Sequence, residues 1–363
     1  MDRAPEAAFT GATPACVARG TLESLPKWLN LVPIVAQWLW LGLKYRSITL
    51  PSCANPAITS GGLVGEGKME YFAAMGAVAR SRTAATASFV RTVACTVSTV
   101  REVMRGHGLA FPLIAKPDLG WCGFGVRLLH GEADLSRYLA EFPEGERVVL
   151  QEFLADEGEA GIFYMRDPAA RHGMLLGMLL RRYPEVCGDG SRTIAQLVAC
   201  DPRLARVGRD GLSEMDCDAS RVPLAGERVR LSVVSSSRVG GLYQDASRAI
   251  TPALTAAIDA VARDMGNFHV GRFDVKFSDL DALGRGESFR IIEVNGAGSE
   301  AVHAWDPAHS LARAYAIIFD KQRRMFEIAS RMRRLGHRPI GLARLARLHF
   351  RQQALIRRYP SSN

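Results

Sequence analysis

The sequence predicts an α+β fold of two strand-rich lobes, with a helical N-terminal segment and a basic helical C-terminal tail. Three observations carry this. Between Phe111 and Asn295, short apolar runs with strand period alternate with glycine turns and stretches of helical period. The last two runs, GRFDVKF and FRIIEVN, lie close enough in the chain to pair with each other. At 363 residues and 48% hydrophobic composition, the chain can bury a sizeable core in two or three lobes. The same composition excludes a disordered protein and a polytopic membrane protein.

Taken in order, residues 1–25 are rich in Ala, Thr and Gly without periodicity and read as a loose leader. The run WLNLVPIVAQWLWLGL, residues 28–43, follows, flanked by Lys27 and by Lys44 and Arg46. It is short for a membrane span and broken by Asn30, Pro33 and Gln37, so a buried or interfacial helix is the first reading and a span the second. Residues 51–67 hold too much Pro, Gly and Asn for anything but a loop, and Lys68 then opens a helix to about Met75. Residues 84–105 fit a strand followed by a helix, without a clear division between them.

From Phe111 the punctuation is sharper. FPLIAKP is a strand, Gly120 to Gly125 a tight loop, VRLLH a strand, Ala133 to Glu141 a helix and VVLQEFL a strand. GIFYMRD and GMLLGMLLRRY read as a strand hairpin. Helix 251–265 has Pro252 at its start and Leu254, Ile258, Val261 and Met265 on one face.

The seven cysteines form no C-x-x-C pair and no zinc spacing, which points to reduced thiols and a cytoplasmic location. No signal peptide is apparent, since Asp2 and Glu6 stand where a basic region is expected. The formal charge of +9 is uneven. From Lys321 onward, twelve Lys and Arg face the single acid Glu327, so the tail carries more than the whole net charge.

Chemistry concentrates in the final strand pair. Side chains two apart on a strand share a face, so Arg272 and Asp274 point together, as do Glu293 and Asn295. A hairpin closing symmetrically about residues 283 and 284 sets Asp274 opposite Glu293. Two carboxylates and an amide oxygen are hard ligands suited to Mg²⁺, which leaves coordination positions for water and phosphate oxygens. The bland alternative is a solvated strand face. In PLIAKPDLGWCGFGV, Lys116 and the amides of Gly120, Gly123 and Gly125 are placed to cradle anionic oxygens, although such a loop is often only a turn.

The order of Lys116, glycine loop, VVLQEFL, RFD and E-V-N resembles the ATP-grasp superfamily, particularly its D-alanine:D-alanine ligase-like and cyanophycin synthetase-like members, over residues 60 to 315. The resemblance implies a fold of two α+β subdomains sandwiching ATP. It divides the chain into an N-terminal region 1–108, an ATP-grasp domain 109–320 with a lid of about 109–155 and a catalytic part of about 156–320, and the basic tail 321–363. It also implies that Lys116 contacts the ATP phosphates, that Gly120, Gly123 and Gly125 form the flap over them, and that Lys68 is a second nucleotide-binding lysine. Gln151, Glu152, Phe153 and Leu154 correspond to the hinge at the adenine edge. Glu159, or Glu157 if the alignment shifts, corresponds to the ribose-binding acid. Asp274, Glu293 and Asn295 match magnesium ligands, with Mn²⁺ as a substitute, and Arg272 the residue that steadies phosphoryl charge. Gly188, Asp189, Gly190 and Thr193 in VCGDGSRTIAQL are similar to a segment of the cyanophycin synthetase-like branch, with Arg181 and Arg182 before it.

The implied activity is an ADP-forming carboxylate–amine or carboxylate–thiol ligase that proceeds through an acyl phosphate. Glu66, Gly296, Gly298, Ser299 and His303 are the candidate substrate contacts. No G-x-S-x-G, activated cysteine or H-E-x-x-H argues for a different chemistry. Two rival readings remain at this stage. One keeps the fold but makes it a phosphotransferase or a non-catalytic ATP binder. The other is a peripheral membrane or polyanion-binding protein acting through residues 28–43 and 321–358, where sparse aromatics argue against nucleic acid.

Overall fold

The computed structural model describes residues 20–206 and 217–362, so most of the leader expected at 1–25 lies outside the described residues. The chain begins with a helical turn α1 (Thr21–Ser24), the apolar helix α2 (Lys27–Lys44), and α3 (Lys68–Ala74) and α4 (Ala77–Ser81). A first lobe follows: β1 (Thr86–Val90), α5 (Val97–Gly106), β2 (Leu113–Pro117), β3 (Arg127–Leu129), α6 (Glu132–Glu141) and β4 (Arg147–Glu152). Its four strands form an antiparallel sheet in the order β1-β4-β2-β3. Val100 and Met104 of α5 and Leu135, Tyr138 and Leu139 of α6 pack with Leu113, Ala115, Val148 and Leu150 in its core.

The second lobe carries β5 (Gly158–Met165), β6 (Met174–Arg182), β7 (Glu185–Cys187), α7 (Ile194–Cys200), β8 (Arg228–Arg230), β9 (Leu242–Asp245), α8 (Pro252–Asp264), β10 (Val270–Phe277), α9 (Leu280–Gly284) and β11 (Phe289–Asn295). Five of these strands build an antiparallel sheet in the order β11-β10-β5-β6-β9. The α+β class is therefore as expected, and the hairpin expected at GIFYMRD and GMLLGMLLRRY is the β5–β6 pair. Residues 84–105 resolve into β1 and α5.

Alternation along β10 decides which side of this sheet faces what. Phe273, Val275 and Phe277 enter the main core with Ala160, Ile162, Ile291, Val294 and the Leu254, Ile258, Val261 stripe of α8. Arg272, Asp274 and Lys276 are left on the opposite face. The lobes are joined by residues 153–157, which cross from β4 to β5 without regular structure.

Two C-terminal helices, α10 (Leu311–Arg334) and α11 (Leu342–Ile356), complete the chain. The boundary read at residue 320 falls inside α10. Met325, Phe326, Ile328, Ala329 and Met332 of α10 are buried with Leu41 of α2 and with Phe163, Met165 and Val270. This cluster covers one end of the sheet face that bears Arg272 and Asp274. Lys321, the first cation of the basic tail, is itself buried and donates to the Ala297 carbonyl at 2.8 Å.

Candidate functional site

The register of β10 with β11 pairs Asp274 with Glu293 and Arg272 with Asn295. These four side chains therefore share one face, as the symmetric hairpin requires. Immediately after Asp274 the register shifts, because Val275 pairs with Ile291 and Ile292 has no partner in the ladder. The Ile292 carbonyl, freed from the ladder, accepts a hydrogen bond from Lys116 Nζ at 3.0 Å. Lys116 stands on β2 of the other lobe and also donates to Gln151 Oε1 at 2.8 Å. Both acceptors are neutral. Burial pulls the Lys116 ammonium down to about 8, against the opposing pull of Glu293.

Lys68 completes the junction. Its Nζ lies 3.5 Å from Glu293 Oε1 and 3.4 Å from the Asp118 carbonyl at the entry to the glycine loop. A Cβ on Gly120 would stand 2.8 Å from that Nζ, so the loop passes directly beside the Lys68 ammonium. Asp118 fixes this approach, because its Oδ1 accepts from the Met69 amide at 2.8 Å and its carbonyl from the Lys68 amide at 3.1 Å. Thus Lys68 links Glu293 to the entry of the glycine loop, and Lys116 reaches the backbone next to Glu293.

Asp274 is almost fully buried and anchors a lattice of charge. Arg272 clamps it through two bonds of 2.7 and 2.9 Å, Arg181 donates to it at 3.1 Å, and Asn295 Nδ2 at 3.2 Å. Although burial opposes it, the pull of Arg181 and Arg272 holds its carboxyl below the usual range. Gly161, across from Asp274 on β5, makes room, since a Cβ there would lie 3.1 Å from Asp274 Oδ1 and 3.2 Å from Arg272 Cδ.

Glu159 extends the lattice. It accepts from Arg181 at 3.0 Å, from Ser235 Oγ at 2.7 Å and from the Tyr183 hydroxyl. The expected ribose acid is thus buried among fixed partners, while the alternative, Glu157, is exposed on the crossing segment. Lys68, Lys116, Arg181, Arg272 and Lys276 stand here with Glu159, Asp274 and Glu293, and Glu66, Asp156 and Glu157 lie within electrostatic reach of Lys68 and Lys276. Lys116 is buried and meets only neutral acceptors, a setting that favours an anion beside it.

The other candidates fall in three places. Gln151 is buried in β4, where its side chain serves Lys116 and Thr86, and Glu152 is held by Arg290 and the Ala85 amide. Phe153 and Leu154 lie on the crossing segment between the lobes. Gly296 and Gly298 pack backbone to backbone on the 61–63 loop: the Gly298 amide donates to Gly62 O at 2.6 Å and the Ala297 amide to Gly61 O at 3.1 Å. A Cβ on Gly62 would meet Gly296 Cα at 2.5 Å, which requires glycine at the contact. Ser299 Oγ turns back to the Gly296 carbonyl at 2.7 Å. Glu66, on the same loop, has an oxygen buried without a partner, and burial pushes its carboxyl up to about 7.

His303 is not brought to this group. It is buried against Gly177 on β6, three strands across the sheet from Asn295, and interacts electrostatically with Asp245 and His309. The segment around Gly188, Asp189, Gly190 and Thr193 is likewise separate. Asp189 closes a turn onto the Ser191 and Arg192 amides, and Thr193 caps α7 above the small β7–β8 sheet.

Sequence reasoning missed a strap over the glycine loop. Gln352 Nε2 donates to the Gly120 carbonyl at 3.1 Å, the Tyr359 hydroxyl to Leu119 O at 2.7 Å, and Ser362 Oγ to Gly123 O at 2.7 Å. Arg127 holds the Ser361 carbonyl at 2.6 Å, and Tyr359 stacks on Phe142 with ring centroids 5.4 Å apart. Gly123 and Gly125 have φ of +78° and +73°, so the loop beneath the strap needs glycine at those turns.

Among the described residues, no cluster of three or more His, Cys, Asp or Glu side chains has the geometry of a metal site. The oxygens that suit a divalent cation are the mixed set Asp274, Glu293 and Asn295. The amide nitrogen of Asn295 is turned to Asp274, which directs its oxygen away from that carboxylate. This donor set is compatible with magnesium but not with a softer metal.

No family model matches this chain, and no curated protein matches it. Similar solved structures include a D-alanine–D-alanine ligase from Bacillus anthracis, with TM-score 0.43 and 14% identity over 77% of this chain and 71% of that one. A D-cycloserine synthetase has TM-score 0.40 and 14% identity, covering 76% of this chain and 71% of its own. A bifunctional glutathione synthetase from Pasteurella multocida has TM-score 0.37 and 18% identity over 70% of this chain. This chain spans only 35% of that enzyme's length. All three are ATP-grasp enzymes.

Proposed function

We propose that this protein is an ATP-grasp ligase that uses Mg-ATP to activate a small-molecule carboxylate and joins it to an amine or thiol, releasing ADP and phosphate in the cytoplasm. One observation carries the reading. Lys116 of the lid and Lys68 of α3 meet the face that carries the Asp274–Glu293 and Arg272–Asn295 pairs, in a largely desolvated setting. A nucleotide triphosphate supplies the anion that Lys116 lacks.

Asp274, Glu293 and Asn295 would hold magnesium, which when bound neutralises phosphate oxygens; manganese suits the same oxygens. Lys116 orients the phosphates from the lid, and Lys68 from α3 beside Glu293. Arg272, fixed in one rotamer by its bidentate bond to Asp274, faces the charge that develops as the carboxylate oxygen attacks the terminal phosphorus and ADP departs. The incoming amine or thiol then attacks the acyl carbon, gives up its proton and forms the new bond as the C–O bond to phosphate breaks and inorganic phosphate leaves. The amides of Gly120, Gly123 and Gly125 close over the reacting group and keep water out. The backbone of residues 151–154 offers the adenine edge its hydrogen bonds, with Glu159 or Glu157 toward the ribose. Glu66, Gly298 and Ser299 border the substrate side, and His303 stands further out.

The test is product analysis with purified protein, Mg-ATP and panels of carboxylates with amines or thiols. ADP, phosphate and a condensed product in equal amounts support a ligase. A phosphorylated small molecule as the end product makes it a phosphotransferase, and nucleotide binding without turnover across the panels makes it a binder. Asp274→Asn and Lys116→Met should each abolish turnover, and a variant that keeps full activity would reject the assignment of that residue.

A further inference from the structure

The outward face of α2 is a stripe of large apolar side chains unlike any other described surface of the protein. Its inner face is fully used. Trp38 packs edge-on against Phe326 with centroids 5.1 Å apart, Gln37 Nε2 donates to Phe319 O at 3.0 Å, and Leu41 is buried. The outer face is bare. Trp28, Leu31, Val32, Val35, Leu39 and Leu43 fall within one side of the helix, flanked by Leu29 and Trp40, and all are exposed. Trp28 is 69% exposed, Trp40 57% and Leu43 77%. A water-facing helix surface with no charged residue from 28 to 43 is costly unless something covers it.

The charge around the stripe identifies the occupant. Helices α2 and α10 run parallel, since Asn30 meets Tyr315, Gln37 meets Phe319 and Arg333 reaches the Tyr45 carbonyl at 2.9 Å. Their C-terminal ends therefore lie together, and Lys44, Arg46, Arg334 and Arg338 gather there beside exposed Leu335. No Asp or Glu occurs between residues 25 and 65 or after Glu327. A partner for this face must be apolar along the helix and anionic at its end. The interface of an anionic bilayer offers acyl chains and phosphates in that arrangement. Tryptophans at both halves of the stripe suit that interface. No described helix is long and apolar enough to cross a membrane, so α2 lies in the surface and does not span it.

We propose that this protein docks on anionic lipid surfaces through the outer face of α2, with the joined C-terminal ends of α2 and α10 contacting the headgroups. The idea does not depend on the ligase reading. Co-sedimentation of the full chain with phosphatidylcholine vesicles, with and without phosphatidylglycerol, tests it. Binding should require the anionic lipid and weaken as salt is raised. Val35→Asp/Leu39→Asp should bind at least about tenfold more weakly, because each change puts a charge among the acyl chains. Lys44→Gln/Arg334→Gln should lose about fivefold per cation on anionic vesicles only. These positions are exposed, and an unchanged melting temperature confirms that the variants are folded. Equal binding to both vesicles, no binding to either, or a concentration-dependent dimer that Val35→Asp/Leu39→Asp disrupts would overturn the proposal, the last by making a second copy the occupant.

Discussion

Lys116 provides the most direct test of the cleft, because its ammonium is buried against two neutral acceptors and waits for an anion. Burial holds it at about 8, with Lys68 repelling it and Glu293, Asp274 and Glu159 attracting it. A phosphate oxygen about 4 Å away would contribute about 4 kcal/mol at an effective dielectric of about 20. That returns the ammonium to its ordinary range, roughly 3 pH units higher. The sign follows. Below pH 8 the group is charged with or without nucleotide, and affinity is insensitive to its titration. Above pH 8 the free protein has lost the proton that the complex needs, so binding takes up a proton and affinity falls about tenfold per pH unit. Between pH 8, where half the free protein has already lost the proton, and pH 9.5 the dissociation constant should therefore rise about 15-fold. Calorimetric titration with ATP and EDTA, in buffers of different ionisation enthalpy, reads both the affinity and the proton uptake. Lys116→Met should bind weakly and without that slope. Lys321, which burial also holds at about 8, bonds the Ala297 carbonyl, so Lys321→Met serves as the control that keeps the slope. A wild-type affinity flat from pH 7 to 9.5, or a slope that survives in Lys116→Met, would refute the reasoning.

Asp274→Asn leaves Arg272 and Arg181 buried without their shared counter-charge, and should cost about 3–5 kcal/mol in chemical denaturation as well as turnover. Gly120→Ala should raise the KM for ATP several-fold with little change in melting temperature, since its Cβ displaces only the flexible end of Lys68; loss of stability without a change in KM would count against the placement of that lysine. Tyr359→Phe removes one strap bond, worth about 1 kcal/mol, and should speed proteolytic cleavage within residues 119–125 severalfold. Glu66 has its carboxyl raised from the ordinary range to about 7, so the stability of its protonated form is present below about pH 4.5 and lost as pH rises through 7. Glu66→Gln should accordingly raise the melting temperature at pH 8 and leave it nearly unchanged at pH 4.5.

How much of this was legible depended on the distance between partners along the chain. Arg272, Asp274, Glu293 and Asn295 sit on adjacent strands with a short connection, so period-two alternation and a symmetric closure suffice to put them on one face. Helices α2 and α3 announce themselves through an apolar run and a glycine-to-lysine boundary. The bulge at Ile292 has no such signature, because its residues are ordinary strand formers. The strap over the glycine loop joins Tyr359 to Leu119 and Gln352 to Gly120, and nothing local marks those contacts. The tail is a different case. Met325, Phe326, Ile328, Ala329 and Met332 recur at helical spacing, a core-facing stripe visible in the chain. The surrounding arginines give no sign that Lys321 is interior, because its acceptor is a backbone carbonyl 24 residues away.

Asp274 couples the stability of the fold to the charge of the site. A carboxylate this deep is expensive unless paired, and it is paired with two guanidinium groups whose combined charge exceeds its own. Glu159 takes up part of Arg181, which leaves Arg272 as the guanidinium held mainly by Asp274 and turned along the face that ends at Asn295. Lys116 and Lys68, for their part, are met by neutral oxygens and by the single carboxylate Glu293. If the lattice existed only to stabilise the fold, apolar side chains of similar size would do so at less cost, since buried ion pairs rarely repay their desolvation. Positive charge fixed in place before any ligand arrives is what phosphoryl transfer requires, because such groups need not reorganise as charge builds on the transferring oxygens. The loss of stability in holding these cations together is therefore expected to reappear as affinity for a polyphosphate.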